Sequence, residues 1–293
     1  MTHPLRLLTP APFVTVGLAL TAAFASPASA QAPGAACPEG YEALSEGDAE
    51  TAAPAFQTCL ESQLYDWPVE AELRVRLGAA QLALGEGEAA LMTYNQLFSL
   101  LEANGADTDN PLARRNRAAA YLQTGEYEAA LEDLDRALAS RPDDGFTRVL
   151  QGSALLDLDR HEEAVAAFDA AVRAEPDYAS AWMGRSAAFV ELDLDSQAVS
   201  DAEEAVAMAP ESAGALNALC WALVQAGRAA DAMDTCDAAV AADPESGAIV
   251  HSRAAALEQV GRTEEAAELY ARAHALDPED PEIAADHERV NGG

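Results

Sequence analysis

Five prolines recur along this chain at a fixed period of 34 residues. The repeating prolines are Pro142, Pro176, Pro210, Pro244 and Pro278. Alanine stands twelve residues and again five residues before each of them, so small side chains recur in register with the prolines. A period of this length indicates one supersecondary unit copied end to end, which predicts a solenoid rather than a domain with a single central core.

The residues between successive prolines predict two helices joined by a turn. On both sides of the turn, apolar residues are three or four apart, which is a helical spacing. Each proline ends the second helix, because its ring cannot continue a helix. The predicted fold is therefore all-α. Glycine or aspartate marks the turn 17 residues before each proline, at Gly125, Asp159, Asp193, Gly227 and Gly261.

These units resemble the tetratricopeptide repeat family, whose pattern is W-x2-L-G-x2-Y, then A-x3-F, then P. The resemblance implies an all-α, right-handed superhelical solenoid of antiparallel helix pairs. It implies five clear repeats over 111–278, a degenerate repeat over 68–104, a shortened one over 37–66, and a C-terminal cap and tail over 279–293. The third unit carries the resemblance best, with Trp182, Ser186, Phe189, Ala198, Ala202, Ala205 and Pro210.

The first thirty residues have the pattern of a secretory signal peptide. Arg6 precedes an apolar stretch from Phe13 to Phe24, and the small-x-small sequence Ala28-Ser29-Ala30 follows. We predict cleavage after Ala30, followed by a linker over 31–36. An uncleaved membrane anchor is the alternative, but the apolar stretch is shorter than the ~20 residues that a spanning helix needs. The predicted location is therefore periplasmic or secreted, with no membrane span after cleavage.

Four cysteines follow the predicted signal peptide, an even number that permits two disulfides in an exported chain. Cys220 and Cys236 lie about equally far from the turn at Gly227, and Cys37 and Cys59 straddle a turn in the same way. Residues equidistant from the turn of an antiparallel hairpin lie side by side, so we predict the pairs 37–59 and 220–236. Buried free thiols are the alternative for the second pair, and a lipid anchor is a further alternative for Cys37.

The charge of the chain excludes one large class of partners. Its formal net charge is −33, and all 17 basic residues are arginine. A polyanion such as DNA or RNA would be repelled, because proteins bind nucleic acids by neutralising phosphates. An anionic membrane surface is disfavoured for the same reason. The alanine-rich, lysine-free composition is typical of a GC-rich bacterial genome, which makes a periplasm the predicted compartment.

The sequence predicts no catalytic centre, no cofactor and no metal site. Without lysine there is neither a phosphate-binding P-loop lysine nor a Schiff-base nucleophile. The histidines are scattered, and none lies at metal-ligand spacing from another. Asp157–Asp159 and Asp193–Asp195 lack the rest of a calcium loop, and aspartates at turns more often cap the next helix. We predict that the protein is not an enzyme.

In tetratricopeptide repeat proteins, the first helices of successive repeats line a concave groove that accepts partner peptides. We expect Trp221 to be the main anchor because its ring is large, and Trp182 to belong to the core. The alternative is that the groove side chains only pack between adjacent first helices. By this resemblance, the candidate partner-binding residues are Arg115, Asn116, Phe146, Val149, Leu150, Met183, Asn217, Trp221 and His251.

The predicted function is that of a non-enzymatic scaffold for protein–protein interaction in the bacterial cell envelope. Arginines on the first helices and acidic residues on the second helices predict an inner row that is relatively positive. The hypothetical partner is a protein segment or helix with an apolar anchor and an acidic group, bound in the groove. The alternative function is a regulatory or assembly subunit that docks through its acidic convex face. Self-association is left open.

Overall fold

The computed structural model describes residues 33–62 and 64–292, and every regular element within them is an α-helix. The helices pack as consecutive antiparallel pairs, so the predicted all-α fold is confirmed. The described residues form two compact units, one ending at Pro142 and the other beginning at Asp143. The predicted signal peptide, residues 1–30, lies outside the described residues.

The N-terminal unit contains three helix pairs preceded by one short helix. The pairs are α2 with α3, α4 with α5, and α6 with α7, and each pair also packs against the next. The helices are α1 (Pro33–Ala36), α2 (Pro38–Ser45), α3 (Ala49–Ser62), α4 (Trp67–Ala83), α5 (Gly87–Ala103), α6 (Pro111–Thr124) and α7 (Tyr127–Ser140).

The C-terminal unit contains four helix pairs and a last single helix. The pairs run from α8 with α9 to α14 with α15, and α16 packs against the last pair. The helices are α8 (Gly145–Asp157), α9 (His161–Ala174), α10 (Ala179–Glu191), α11 (Asp195–Met208), α12 (Ala213–Gln225), α13 (Ala229–Ala242), α14 (Gly247–Gln259), α15 (Thr263–Leu276) and α16 (Pro281–Asn291).

The ends of the helices follow from the residues that the sequence pattern singled out. Each repeating proline stands two residues after the end of a second helix, as Pro142 does after α7. The predicted turn residues adopt the left-handed backbone conformation, for example Gly125 at φ 79° and Asp159 at φ 56°. Such a turn suits glycine, which has no Cβ to clash. Side-chain caps begin several first helices, at Asn110, Asp144, Ser212 and Ser246.

Both predicted disulfides are present in the structure. Cys37, just before α2, is joined to Cys59 on α3 across a Cα–Cα distance of 5.8 Å. Cys220 on α12 is joined to Cys236 on α13 across 5.0 Å. All four cysteines of the chain are therefore paired. The first bond closes the open end of the pair of α2 with α3, and the second joins the middles of α12 and α13, so each bond restrains one helix pair.

The core of each pair depends on a match between a large and a small side chain. Tyr94 and Phe168 are fully buried on second helices. Their rings lie over Gly78 and Gly152 of the preceding first helices, where an added Cβ would come within 2.6 Å of the ring. The next first helix also approaches Phe168 with a glycine, Gly184. Close packing of successive first helices follows, and this packing positions the candidate site.

Candidate functional site

Four first helices of the C-terminal unit, α8, α10, α12 and α14, pack against one another in succession. We call the surface that carries the predicted groove residues on these helices the first-helix face. The predicted residues on it are Phe146, Val149 and Leu150 on α8, Met183 on α10, Asn217 and Trp221 on α12, and His251 on α14.

The accessibility of these side chains divides the first-helix face into two parts. Phe146, Leu150 and Met183 are partly exposed, so α8 and α10 offer apolar contact area to a partner. Trp221 is only 7 % exposed and lies in a core cluster against which Met183 is packed. This burial agrees with the alternative that groove side chains only pack between adjacent first helices. Trp221 is therefore part of the core on which Met183 packs. Val149 is buried as well.

Asn217 places a polar atom without a partner inside the first-helix face. The residue is 3 % exposed, and its Oδ1 accepts no hydrogen bond from any described residue. A buried amide oxygen that lacks a donor is costly, by about 1 to 3 kcal/mol. The residue at the same position is Met183 one repeat earlier and Val149 two repeats earlier. The first-helix face therefore holds a covered, unpaired acceptor at a position where the two preceding repeats have an apolar side chain.

The two remaining predicted residues, Arg115 and Asn116, lie on α6 of the N-terminal unit. Arg115 is partly exposed. Asn116 is 6 % exposed, and its Nδ2 donates to no described residue. Asn116 therefore belongs to the interior of α6's packing and not to its accessible surface in this structure.

His251 is already engaged by the C-terminal helix. It is fully buried, and its Nε2 lies 2.9 Å from Oδ2 of Asp286 on α16. Arg289, also on α16, donates to Asp286 at 2.9 Å and to both carboxylate oxygens of Glu258 at 2.6 and 2.9 Å. Tyr270 donates its hydroxyl proton to Glu258 at 2.8 Å. This network fixes α16 against the last repeat.

A half-buried carboxyl group at the start of α16, that of Glu282, makes the stability of the C-terminal unit depend on pH. Burial raises the pKa of Glu282 to about 7; His251 opposes the rise, and Asp280, Asp286 and Glu191 add to it. The folded protein therefore favours the protonated form. This preference stabilises the folded protein fully below pH 4.5, the ordinary pKa of a glutamate. The stabilisation is lost as the pH rises to about 7, the pKa of Glu282 in the folded protein.

Glu282→Gln is expected to stabilise the protein at pH 8 and to change little at pH 5. The full pKa shift would correspond to about 3 kcal/mol, but partial exposure of the group reduces the expected gain at pH 8 to about 1 kcal/mol. Urea unfolding at both pH values measures it. Glu288→Gln, at an exposed position of the same helix, is the control. Equal pH profiles for wild type and Glu282→Gln would contradict the expectation.

The first-helix arginines do not form the positive inner row that the sequence predicted. Arg185 Nε lies 2.7 Å from Asp201 Oδ2, and Arg185 Nη1 lies 2.9 Å from Asp169 Oδ1. Arg253 Nε lies 2.6 Å from Asp237 Oδ1. Each of these carboxylates belongs to a second helix, so the charges cancel between the helices of a repeat and its neighbour. The expectation of a surplus of positive charge on the first helices is wrong for these residues.

No group of three or more His, Cys, Asp or Glu side chains among the described residues could hold a metal ion. Asp159 and Asp193, whose turns lack the rest of a calcium loop, occupy left-handed turn positions at φ 56° and 55°. None of the helices in the described part of the chain is both long and apolar enough to cross a membrane.

Trp182, expected in the core, is partly exposed and donates from Nε1 to the carbonyl of Pro176 at 2.9 Å.

The repeated helix pairs define an α-helical repeat protein, and the sequence matches one known family of such proteins. Four family models, all described as tetratricopeptide repeat, match this chain. The matched residues are 37–98 and 149–194 for one model, and 111–144, 196–257 and 247–287 for the others. Together these matches cover most of the chain. It therefore belongs to the tetratricopeptide repeat family, whose members are generally non-enzymatic scaffolds.

Solved structures show the same fold at low sequence identity. A tetratricopeptide repeat protein from Parabacteroides merdae is similar with a TM-score of 0.69 and 18 % identity, over 88 % of this chain and 98 % of that one. A thermophilic tetratricopeptide repeat protein from Thermus thermophilus is similar with a TM-score of 0.56 and 22 % identity, over 61 % and 98 %. At these identities the likeness concerns the fold alone. No curated protein matches the chain.

Proposed function

We propose that this protein is an exported, non-enzymatic scaffold of the bacterial cell envelope that binds a segment of another protein along its first-helix face. The family fold supports a role in protein–protein interaction. The bound segment would lie along α8 and α10, where apolar side chains remain accessible, and would end near α12.

The observation that carries this proposal is the composition of the face around Asn217. Phe146, Leu150 and Met183 offer partly exposed apolar area, and the Oδ1 of Asn217 is buried without a donor. Accessible apolar side chains bind an apolar anchor of a partner, and the covered acceptor beside them can pair with a backbone N–H of a segment that displaces the side chains over it. This combination fits an extended or helical segment with an apolar side chain. Because the arginines are paired, it sets no requirement for an acidic residue in the partner.

A photo-crosslinking residue at position 183, in the native host, tests the proposal directly. Position 204, exposed on the second helix α11, is the matched control. We expect a discrete adduct at 183 and none at 204, and we expect Leu150→Asp to abolish the adduct while leaving the circular dichroism spectrum unchanged. No adduct at 183, or an adduct that survives Leu150→Asp, would contradict binding at this face.

A second candidate function is that of a subunit that docks through its acidic second helices. It is favoured by the exposed carboxylates along these helices in the C-terminal unit, including Glu162, Glu204 and Glu264. Reversal of these charges should abolish such docking but spare binding at the first-helix face. An adduct at position 204 alone, lost on charge reversal, would support this second function.

Export is supported by the pairing of all four cysteines, since stable disulfides form in oxidising compartments. We expect the protein isolated from its host to begin at Gln31 and to react with a maleimide only after reduction, then at four positions. Intact mass spectrometry measures both. A chain that begins at Met1 and carries reactive thiols before reduction would refute export.

A further inference from the structure

The exposed face of α5 in the N-terminal unit differs from the second helices of the later repeats. Residues 89–101 contain no charged side chain, whereas α7, α9, α11, α13 and α15 all carry acidic residues along their length. Met92 is 64 % exposed, which makes it one of four large hydrophobic residues exposed in the described chain. An uncharged face with an exposed methionine is unusual in a chain whose net charge is −33.

The repeat pattern shows that Met92 departs from its own column. When Ala90 is aligned with the alanines twelve residues before each proline, the residues equivalent to Met92 are all exposed and all polar or small. They are Glu132, Ala166, Ser200, Asp234 and Glu268. The fold therefore does not require an apolar residue here. A methionine at this position leaves most of its side chain in water and fits a surface that is covered by another molecule.

Met92 lies in a groove of about 960 Å³ along α5. Partly buried Leu91 and Leu100 line the groove with it. Exposed Asn95, Gln96 and Ser99 continue along the same side of the helix, so the groove has an apolar floor and a neutral polar margin. From residue 88 to residue 99 the helix rises about 16 Å.

Charged residues line this groove only at its two ends, as carboxylates at one end and as an arginine–glutamate ion pair at the other. Glu88 and Glu126 line it where α5 begins, close to the end of α6. At the opposite end, Arg74 of α4 donates to Gln96 of α5 and to Glu70, the latter at 2.7 Å. The groove thus has a carboxylate end, an uncharged middle and an end where the guanidinium group of Arg74 is paired with Glu70.

We propose that this groove, called the α5 groove, is the contact surface of a symmetric dimer of two copies of this chain. A two-fold axis through the middle of α5 would place the two α5 helices antiparallel. Arg74 of each copy would then face Glu88 and Glu126 of the other, and the two Met92 side chains would meet near the axis. The uncharged middle is where two copies of so acidic a chain approach with the least repulsion.

The size of the α5 groove sets the expected strength of the dimer. It is lined by 11 residues, about half of the 20 to 30 residues a side that are usual in stable complexes. A dissociation constant in the micromolar range is therefore expected. Sedimentation velocity of the mature chain at concentrations from about 1 to 100 µM covers the transition.

Met92→Glu is the first test, because glutamate occupies the same column at Glu132 and is compatible with the fold. We expect it to weaken the dimer by at least about tenfold, since it places two like charges together at the axis. Ala166→Glu changes the same column by the same charge on α9 and should leave the dissociation constant unchanged. A monomeric wild type over the whole range, or a dimer unaffected by Met92→Glu, would overturn the proposal.

A mixing experiment tests the two-fold arrangement itself. Arg74→Glu and Glu88→Arg should each weaken dimerisation about tenfold when studied alone, because each places like charges at both ends. In an equimolar mixture, a mixed dimer contains one copy of each variant. At one end the two substituted positions then carry opposite charges, and at the other end the native Arg74 and Glu88 face each other. Association should therefore return towards the wild-type level. Thermal unfolding of each variant verifies that it is folded. Folded variants that fail to associate on mixing would rule out the antiparallel contact of the two α5 grooves.

Discussion

Asp133→Ala is expected to lower the free energy of unfolding by about 3 kcal/mol, because it removes a buried carboxylate that pairs with two guanidinium groups. Arg117 then has no carboxylate within reach among the described residues, whereas Arg114 keeps Asp109 at 3.0 Å, which places the loss at the lower end of the usual range for breaking a buried pair. Asp133 on α7 is 2 % exposed and receives hydrogen bonds from two guanidinium groups of α6. Arg114 Nη1 lies 2.5 Å from its Oδ1, and Arg117 approaches both oxygens at 2.6 and 2.9 Å. Arg114 is buried too. Urea unfolding of the wild type and the variant measures the loss.

The chain itself supplies the control for this prediction. One repeat later, the positions of Arg117 and Asp133 are occupied by Gln151 and Ala167, and in the fourth repeat the position of Arg114 is occupied by Leu216. The triple variant Arg114→Leu/Arg117→Gln/Asp133→Ala removes all three charged groups together. It should recover at least half of the loss, since replacing a whole buried ion network by apolar groups is often close to neutral. A triple variant as unstable as Asp133→Ala would show that the loss does not arise from the guanidinium groups that lose Asp133.

The 34-residue period predicts the fold well because it reports on backbone geometry. Prolines end the second helices, and glycine or aspartate at φ values near 55° to 82° makes the turns that the spacing indicates. These residues act through their own φ and ψ preferences, whatever surrounds them. The helix pairs can therefore be read from the sequence, and the degenerate pair α4 with α5 is recognised even without its closing proline.

The ion pairs were missed although the sequence holds a signal for them. Cys220 and Cys236 are 16 residues apart, and their balanced position about the turn predicted the disulfide. The same offset of 16 joins Arg117 to Asp133 and Arg185 to Asp201. Residues at this offset face each other within a pair of helices. If the same 16-residue offset is applied to charged residues, it pairs the first-helix arginines with carboxylates of the second helices.

The site was less predictable than the fold, because accessibility depends on neighbouring repeats. Trp221 stands at a groove position, yet side chains of adjacent helices cover it. His251 stands at another groove position, the one equivalent to Asn217, and is covered by α16 through Asp286, 35 residues away. The position of a residue within the repeat determines the direction in which its side chain points. Whether that side chain is covered depends on the size and charge of residues at other repeat positions. The exposed Met92 is the opposite case, since its departure from its own column is visible in the sequence.

Gly184→Ala is expected to destabilise the C-terminal unit by about 3 kcal/mol, the upper part of the usual range for overpacking a core. An added Cβ on Gly184 would lie 2.2 Å from Cε1 of Phe168. The ring cannot move away easily, because Gly152 confines it on the other side at 2.6 Å and it is fully buried. The urea midpoint, followed by circular dichroism, should fall without a change in the helical signal of the native protein.

Gly214→Ala is the matched control, since it also lies in a first helix of this unit. Its added Cβ would come 3.2 Å from Cε of Met183, the movable end of a flexible side chain. Because alanine favours a helix over glycine by about 1 kcal/mol, this variant should be neutral or slightly more stable. Phe168→Leu should relieve part of the defect in Gly184→Ala, so the double variant should lose less stability than the two single losses added together. Additive losses, or a stable Gly184→Ala, would mean that the contact between Phe168 and Gly184 does not set the spacing of α8 and α10, on which the accessible part of the first-helix face depends.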